Sequence, residues 1–500
     1  MRPIDLATPL GATWALLPEI ILATAAMGVL LVVGWRHRSE QDSRLAGWLS
    51  LGALLVSGVG LMYVWTEGLS PIGLETMIAV DSFRYAASAL FLLFSALTIV
   101  LSLGYLERER MLAPEYYCLI LLCTAGMMFL GAAVDLIVVF LGLEVMSIAA
   151  YVLAGYDRRS IFSAEAGLKY FLVGAFASGF LLYGIALVYG ATGTTNIFLI
   201  GAQFSGGQIP VLGLLGLGLI LIGFGFKVSA VPFHMWAPDV YDGAPTPVTG
   251  LMATGVKAAA FVALVRLLMQ AFPGAESVWQ PIIGTLAIAT MVVGNLVALA
   301  QRSLKRMLAY SSVAHAGYLL VAVWPGSRAG AAALILYLLA YGLTTLATFG
   351  FLAALGRRGE RDVTLQSIAG LSRNRPWMAF GLSVCMMSLL GFPGTFGFMA
   401  KWLVLSSVVL EQQWVLAVVL VLASVVSAGY YLPVVMSMYM KEPAGEDVHR
   451  DIYVPGPAMG VMVGAVGALL LFGVWPSRVI AVALRSALPL LERALTIAGS

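Results

Sequence analysis

Charge is the scarcest property of this chain: 11% of its 500 residues are Asp, Glu, Lys or Arg, whereas 61% are hydrophobic. A water-soluble domain of ordinary composition carries about a quarter charged residues, so that class is excluded. The net charge of +3 is small. Its basic residues form no stripe that could follow a phosphate backbone, so nucleic acid is no partner. Cysteine is nearly absent. Cys118, Cys123 and Cys385 lie in or beside apolar runs, with neither a disulfide framework nor a Cys/His ligand cluster, which leaves packing as their role. There is no phosphate-cradling glycine loop, and the scattered glycines read as helix-packing surfaces. The first apolar run has no basic region before it and no small-residue cleavage site, so Thr13 to Trp35 reads as a retained helix.

What is present is a succession of apolar runs of membrane-crossing length, which makes the chain an all-α polytopic integral membrane bundle. Fourteen transmembrane helices are expected, near 13–34, 47–66, 80–104, 115–132, 134–154, 164–190, 211–231, 246–271, 279–300, 305–325, 330–354, 377–405, 412–438 and 457–477. Loop charges give an independent test. Arg36, Arg38 and Arg44, then Arg108 and Arg110, Arg158 and Arg159, Arg302, Lys305 and Arg306, Arg357, Arg358, Arg361, Arg373 and Arg375, and Lys441 and Arg450 fall in alternate loops. The opposite loops hold Arg328. By the positive-inside rule both termini then face outward, which for a bacterial cytoplasmic membrane is the periplasmic side. The tail from Arg478 to Ala498 mixes Arg478, Arg485, Glu492 and Arg493 with apolar residues and reads as a surface helix.

Against this background four ionisable side chains stand out. Glu144, Lys227, Lys257 and Lys401 sit deep in apolar segments, where each costs on the order of 2.5–3.5 kcal/mol by insertion scales and so marks an ion or proton pathway. Two of them adjoin helix-breaking sequence. Ser229 and Pro232 follow Lys227, and Gly391, Pro393 and Gly394 precede Lys401. Backbone freed at such breaks is tolerated at membrane depth against protein or water, and matched breaks in two halves point to an inverted repeat. The expected division is a three-helix segment at 1–110, five-helix repeats at 115–271 and 279–438, and a last helix with an amphipathic tail at 457–500. Glu144 is either a polar tie between helices or a proton carrier and partner for a lysine. A fixed pair with Glu144 explains one lysine but not Lys401. His315, flanked by Ser311, Ser312, Tyr310 and Tyr318, is a relay or a packing histidine. Lys169 modulates the central pair or snorkels, and Asp135 is expected at the outer surface. His234, Asp239 and Asp242 are weak metal ligands; their Pro-rich segment reads better as a rigid entrance or connection.

The run Phe226-Lys227-Val-Ser-Ala-Val-Pro232-Phe-His234-Met-Trp-Ala-Pro238-Asp239-Val-Tyr241-Asp-Gly243-Ala-Pro245-Thr-Pro247, followed by Lys257, resembles the antiporter-like membrane subunits of respiratory complex I. Ala164 to Gly179 and Tyr183 to Gly193 are similar to the N-type branch of that family. Lys401 stands where the M-type carries Glu, and the short tail lacks the long lateral helix of the L-type. The resemblance covers nearly the whole chain. It implies fourteen helices with two inverted five-helix repeats, and a proton route through Glu144, Lys227, Lys257 and Lys401 with Lys169 and His315 beside it. It also implies a non-redox subunit of an NADH:quinone oxidoreductase, lodged in lipid against M-type and K-type neighbours. NADH, FMN, iron–sulfur clusters and quinone would then be held elsewhere, with no cofactor or metal in this chain. A subunit of an Mrp-type cation/proton antiporter complex is the alternative.

Overall fold

Long apolar runs must satisfy their own backbone hydrogen bonds within lipid, and the α-helix does this without a neighbour. The computed structural model describes residues 9–36, 40–66, 77–111, 114–205, 209–356, 363–443 and 454–490. Arg38, Arg357, Arg358, Arg361, Arg450, Glu492 and Arg493, cited above for topology or for the tail, lie outside the described residues. Those described form helices joined by turns, with three isolated β-bridges and no strand among them.

In chain order the helices that shape the bundle are α1 (Leu17–Arg36), α2 (Glu40–Thr66), α3 (Ser82–Glu109), α4 (Glu115–Ala132), α5 (Leu136–Ala154), α6 (Ile161–Thr192), α7 (Val211–Val228) and the short α8 (Trp236–Gly243). They continue with α9 (Thr246–Ala271), α10 (Glu276–Leu299), α11 (Leu304–Val323), α12 (Arg328–Leu355), α13 (Pro376–Leu390), α14 (Phe396–Leu410), α15 (Trp414–Met440), α16 (Gly456–Val474) and α17 (Ser477–Ser486). Among the described residues, twelve helices are long and apolar enough to cross a membrane, and α13 and α14 are shorter apolar helices. The span expected at 305–325 is α11, which its basic first turn and His315 keep out of the twelve.

Every residue of α9 is buried, and α12 is nearly so, which puts these two at the centre with the others around them. Helices α4 and α5 touch backbone to backbone, because Gly126 faces Met146 N and Gly142 faces Leu130 N. The same reciprocity joins α10 to α11, where Gly294 faces Ala314 N and Gly317 faces Met291 N. A Cβ at any of the four would meet main chain, and small residues of this kind let membrane helices pack closely.

One expectation changes. Asp135 does not face the surface: it is 4% exposed and caps α5, accepting from Ile137 N at 2.8 Å and from Thr195 Oγ1 at 2.6 Å. A buried carboxylate at a helix N-terminus is stabilised by the free amides and the dipole there, a role that hydropathy does not reveal. The described part of the tail, α17, docks on protein. Arg328 Nε donates to Leu484 O and Ser82 Oγ donates to Ser486 O, so the helix lies across the starts of α12 and α3.

Candidate functional site

Glu144 is half-buried on α5, and Ser178 Oγ of α6 donates to its carboxylate. Seven residues further along α5, Tyr151 lies on the same helix face. Its hydroxyl accepts from Lys227 Nζ at 3.0 Å. Glu144 and Lys227 do not bond each other directly here: a serine takes the carboxylate and a tyrosine takes the ammonium. Lys227, 3% exposed, also lies 4.8 Å from the Tyr151 ring centre, 5.4 Å from that of Tyr170 and 5.5 Å from that of Phe226. Aromatic faces attract a cation without fixing it as a carboxylate would.

Helix α7 ends one residue beyond this lysine, with Ser229 in the left-handed conformation (φ 61°). The last turn's carbonyls carry partial negative charge, so the break places Lys227 at the end that favours a cation. Trp236 Nε1, at the start of α8, donates to Phe226 O at 3.1 Å, and its ring stacks on Tyr170 at 4.4 Å. The segment after the break is thus pinned to the residue preceding Lys227.

Lys257 follows a π-helical turn, Met252–Val256, inside α9. Such turns interrupt the regular α ladder and are frequent at functional sites. Its ammonium donates to Ser312 O at 2.9 Å and to Ser312 Oγ at 2.5 Å. Helix α11 then carries Ser311, Ser312, His315 and Tyr318 at three- and four-residue spacing on one face. His315 Nδ1 lies 2.7 Å from Tyr337 Oη, and its Nε2 lies 3.2 Å from Tyr431 Oη. Tyr431 also meets Ser311. Beyond, the Lys401 ammonium sits 4.6 Å over the Tyr318 ring and donates to Leu390 O at 2.9 Å. Leu390 is the last residue of α13, so Lys401, like Lys227, meets the negative end of a broken helix.

Gly391 explains how the second break admits its lysine. Its φ is +86°, a left-handed conformation that costs glycine little, and a Cβ there would stand 2.8 Å from Lys401 Cδ.

A half-open cavity of about 790 Å³ lies at one end of the bundle and is lined by Glu109, Arg159, Lys169, Asp239, Lys305 and Arg306 among others. Asp239 binds Lys169 at 2.8 Å and Arg306 at 3.0 Å, which ties α8 to both α6 and α11. Burial pushes the Asp239 carboxyl up, but the two cations outweigh it and hold the carboxyl below its ordinary value of 3.8. Lys169 also meets Glu165 at 2.7 Å and is 43% exposed. It lines the cavity. No grouping of His, Cys, Asp or Glu fit to hold a metal occurs among the described residues, and Asp239 is taken up by its cations.

Sequence reasoning identified the ionisable groups on this axis, but missed Ser178, Tyr151, Tyr337 and Tyr431, which join them. Tyr151 carried a signal in its seven-residue spacing from Glu144. Tyr337 and Tyr431 carried none, because nothing local distinguishes a bonded tyrosine in an apolar helix from a packing one. The arrangement alternates amines and an imidazole with hydroxyls, which suits it to passing protons between groups that both donate and accept.

The profile of the family described as NADH:quinone oxidoreductase/Mrp antiporter, TM, matches residues 133–427, more than half of the chain. NADH-quinone oxidoreductase subunit N 2 of Roseiflexus castenholzii is 44% identical over 87% of this chain and 89% of its own length. NADH-quinone oxidoreductase subunit N of Gemmatimonas aurantiaca is 43% identical over 94% of this chain and 93% of its own. Among solved structures, a chain of respiratory complex I from Thermus thermophilus is 35% identical, with a TM-score of 0.78 over 93% of this chain and 99% of that one. A chain of the Mrp complex from Dietzia sp. has a TM-score of 0.81 at 24% identity, over 98% of this chain and 99% of that one; this is a likeness of fold.

Proposed function

Because the chain belongs to the NADH:quinone oxidoreductase/Mrp antiporter membrane family, on the branch of NADH-quinone oxidoreductase subunit N, we propose that it moves protons through its buried axis while electrons pass elsewhere in the complex. As a subunit N it is a multi-pass membrane component of complex I. NADH, FMN, iron–sulfur clusters and quinone are held by other subunits, with M-type and K-type neighbours flanking this one. The route runs from Glu144 and Lys227 through Lys257 and His315 to Lys401, with Lys169 at its mouth.

One observation carries this reading: each of the three central ammonium groups is buried against hydroxyl, carbonyl or aromatic partners. A lysine locked to a carboxylate stays charged, because separating such a pair leaves an uncompensated buried ion. A lysine against neutral dipoles can release and regain its proton, and the neighbouring hydroxyls supply the next acceptor. Moving one charge against the membrane potential costs about 2.3 kcal/mol per 100 mV, a scale that charging and neutralising such groups can meet.

We read fourteen crossings, counting α11 as one and α13 with α14 as one broken span; an even number leaves both termini on one side, which the loop charges make the outward one. The repeats are 115–271 and 279–438, between the 1–110 segment and the 457–500 end. Reciprocal glycine contacts at α4–α5 and α10–α11 support the repeat, as do the lysine-bearing breaks after α7 and α13. Purification of the intact assembly tests the whole reading. Redox subunits and NADH:quinone activity are expected with this chain, and a cation/proton antiporter set without them overturns it.

Two substitutions probe the geometry. Gly391→Ala should force a left-handed alanine and push Lys401 off Leu390 O, lowering proton flux several-fold at a cost of about 1–2 kcal/mol in backbone strain. Flux in vesicles at matched complex content checks it. Asp239→Asn should leave Lys169 and Arg306 without their shared counter-charge and slow proton uptake about two- to fivefold, read as quinone-dependent uptake in the same vesicles. The sign with pH follows from the lowered carboxyl. The tie on α8 is complete above the ordinary value of 3.8 and is lost as pH falls through the lower folded value.

A further inference from the structure

Four charged side chains outside this axis are buried together at the other end of the bundle. Arg266 of α9 grips Asp81 with two bonds, Nη1 to Oδ2 at 2.7 Å and Nη2 to Oδ1 at 2.9 Å. Arg84 of α3 donates to Glu19 Oε1 at 2.7 Å, to Ala15 O at 2.8 Å and to Ala79 O at 3.0 Å. Asp81 also accepts from Arg84 N at 2.8 Å, joining the two pairs. All four are at most 6% exposed.

The position follows from two helices. Helix α3 starts at this cluster and ends at Glu109, which lines the polar cavity. Its 28 residues cover about 42 Å, more than the roughly 30 Å of a hydrocarbon core, so cluster and cavity lie on opposite sides. Helix α9 starts beside Pro245 of the cavity and passes Lys257 before reaching Arg266 nine residues on, about 14 Å along the axis. Lys257 therefore stands between the two polar regions.

The cluster is also incompletely bonded. Glu19 Oε2, Arg84 Nε and Arg266 Nε have no hydrogen-bond partner among the described residues; nor do both polar atoms of Gln270, one turn beyond Arg266, and Ser88 Oγ, one turn beyond Arg84. Buried polar atoms are almost always bonded, and those left without a protein partner are commonly met by ordered water. Alongside, α3 packs against α9 and its π turn, and carries buried Ser88, Ser95 and Thr98 on the helix face of Arg84.

We propose that Glu19, Asp81, Arg84, Arg266 and Gln270 enclose a water cluster that receives a proton from the Lys257 side and releases it at the face opposite the polar cavity. The proton is shared between the waters and the free oxygen of Glu19, and the arginines keep the site near neutrality before and after it passes. This rests on the proton route proposed above.

The test uses the intact complex in sealed vesicles, with Glu19→Gln and Gln270→Leu compared with Lys257→Ala. Proton release per quinone reduced is measured with a pH indicator on the release side, and infrared difference spectra are recorded during turnover. Both cluster variants are expected to assemble normally, to release at least threefold fewer protons per quinone, and to lose a water-continuum band present in the unaltered complex. Arg266→Lys is expected to retain most of the release. Unchanged release and spectra in both cluster variants, with pumping lost in Lys257→Ala, overturn the site and leave the central route standing. Unchanged pumping in Lys257→Ala overturns the route itself. Losses that follow only the amount of assembled complex make the cluster a structural tie and overturn the proposal.

Discussion

Vesicles carrying complex with Lys227→Ala should take up protons at least tenfold more slowly during quinone reduction, with the amount of assembled complex close to normal. Tenfold corresponds to about 1.4 kcal/mol, modest beside the loss of an entire ionisable step. The substitution removes an ammonium that bonds Tyr151 and faces three aromatic rings, yet it breaks no salt bridge seen in the structure, so no carboxylate is stranded. Assembly is spared for that reason. Glu144→Ala should act in the same direction, because the Ser178 hydroxyl then loses its acceptor and the Lys227 region loses its nearest carboxylate on α5. Tyr151→Phe gives a graded control: the ring over the ammonium remains, the hydroxyl acceptor goes, and a smaller loss is expected. Normal pumping in Lys227→Ala and Glu144→Ala at normal abundance removes both residues from the proposed route. Loss of the complex itself would show that these residues hold the helices together.

Lys401→Ala should impair quinone turnover and pumping together in tightly coupled complex. The residue is the central lysine of the second half, held by Leu390 O and by the face of Tyr318. Lys401→Arg separates charge from exchangeable charge. A guanidinium keeps the positive charge and can still donate to the carbonyl, but it does not give up its proton in proteins. Flux through a carrier should therefore fall in both variants, whereas a structural cation would be rescued by arginine. The quantities to compare are proton flux and quinone reductase rate in sealed vesicles at equal complex content. Unchanged flux in both would remove Lys401 from the route.

Much of the axis could be read in the sequence because lipid makes ionisable residues conspicuous. Glu144, Lys227, Lys257 and Lys401 interrupt runs of Leu, Val, Phe and Ala, and the proline and glycine beside two of them announce broken helices. The partners were invisible for the opposite reason. Tyr151, Tyr337 and Tyr431 are themselves at home in apolar helices, and only tertiary contact turns a packed ring into a bonded hydroxyl. The outer cluster was hidden by position. Glu19, Arg84 and Arg266 lie toward the ends of their spans, where a charged side chain ordinarily reaches water, so neither composition nor periodicity sets them apart. Asp135 misled in the same way until α5 supplied the amide that it caps.

The short helices of the second half bear on how this chain enters the bilayer during synthesis. Helices α13 and α14 are 15 residues each, about 22 Å long, which is less than a hydrocarbon core is thick. Ahead of them, α11 brings Lys305 and Arg306 in its first turn and a histidine at mid-length. None of the three is among the helices both long and apolar enough to cross a membrane alone. A nascent chain that has emerged only as far as Leu390 thus holds an unfinished crossing, with its last carbonyls waiting for the Lys401 ammonium still inside the ribosome. Completion of this crossing therefore depends on α14 following α13.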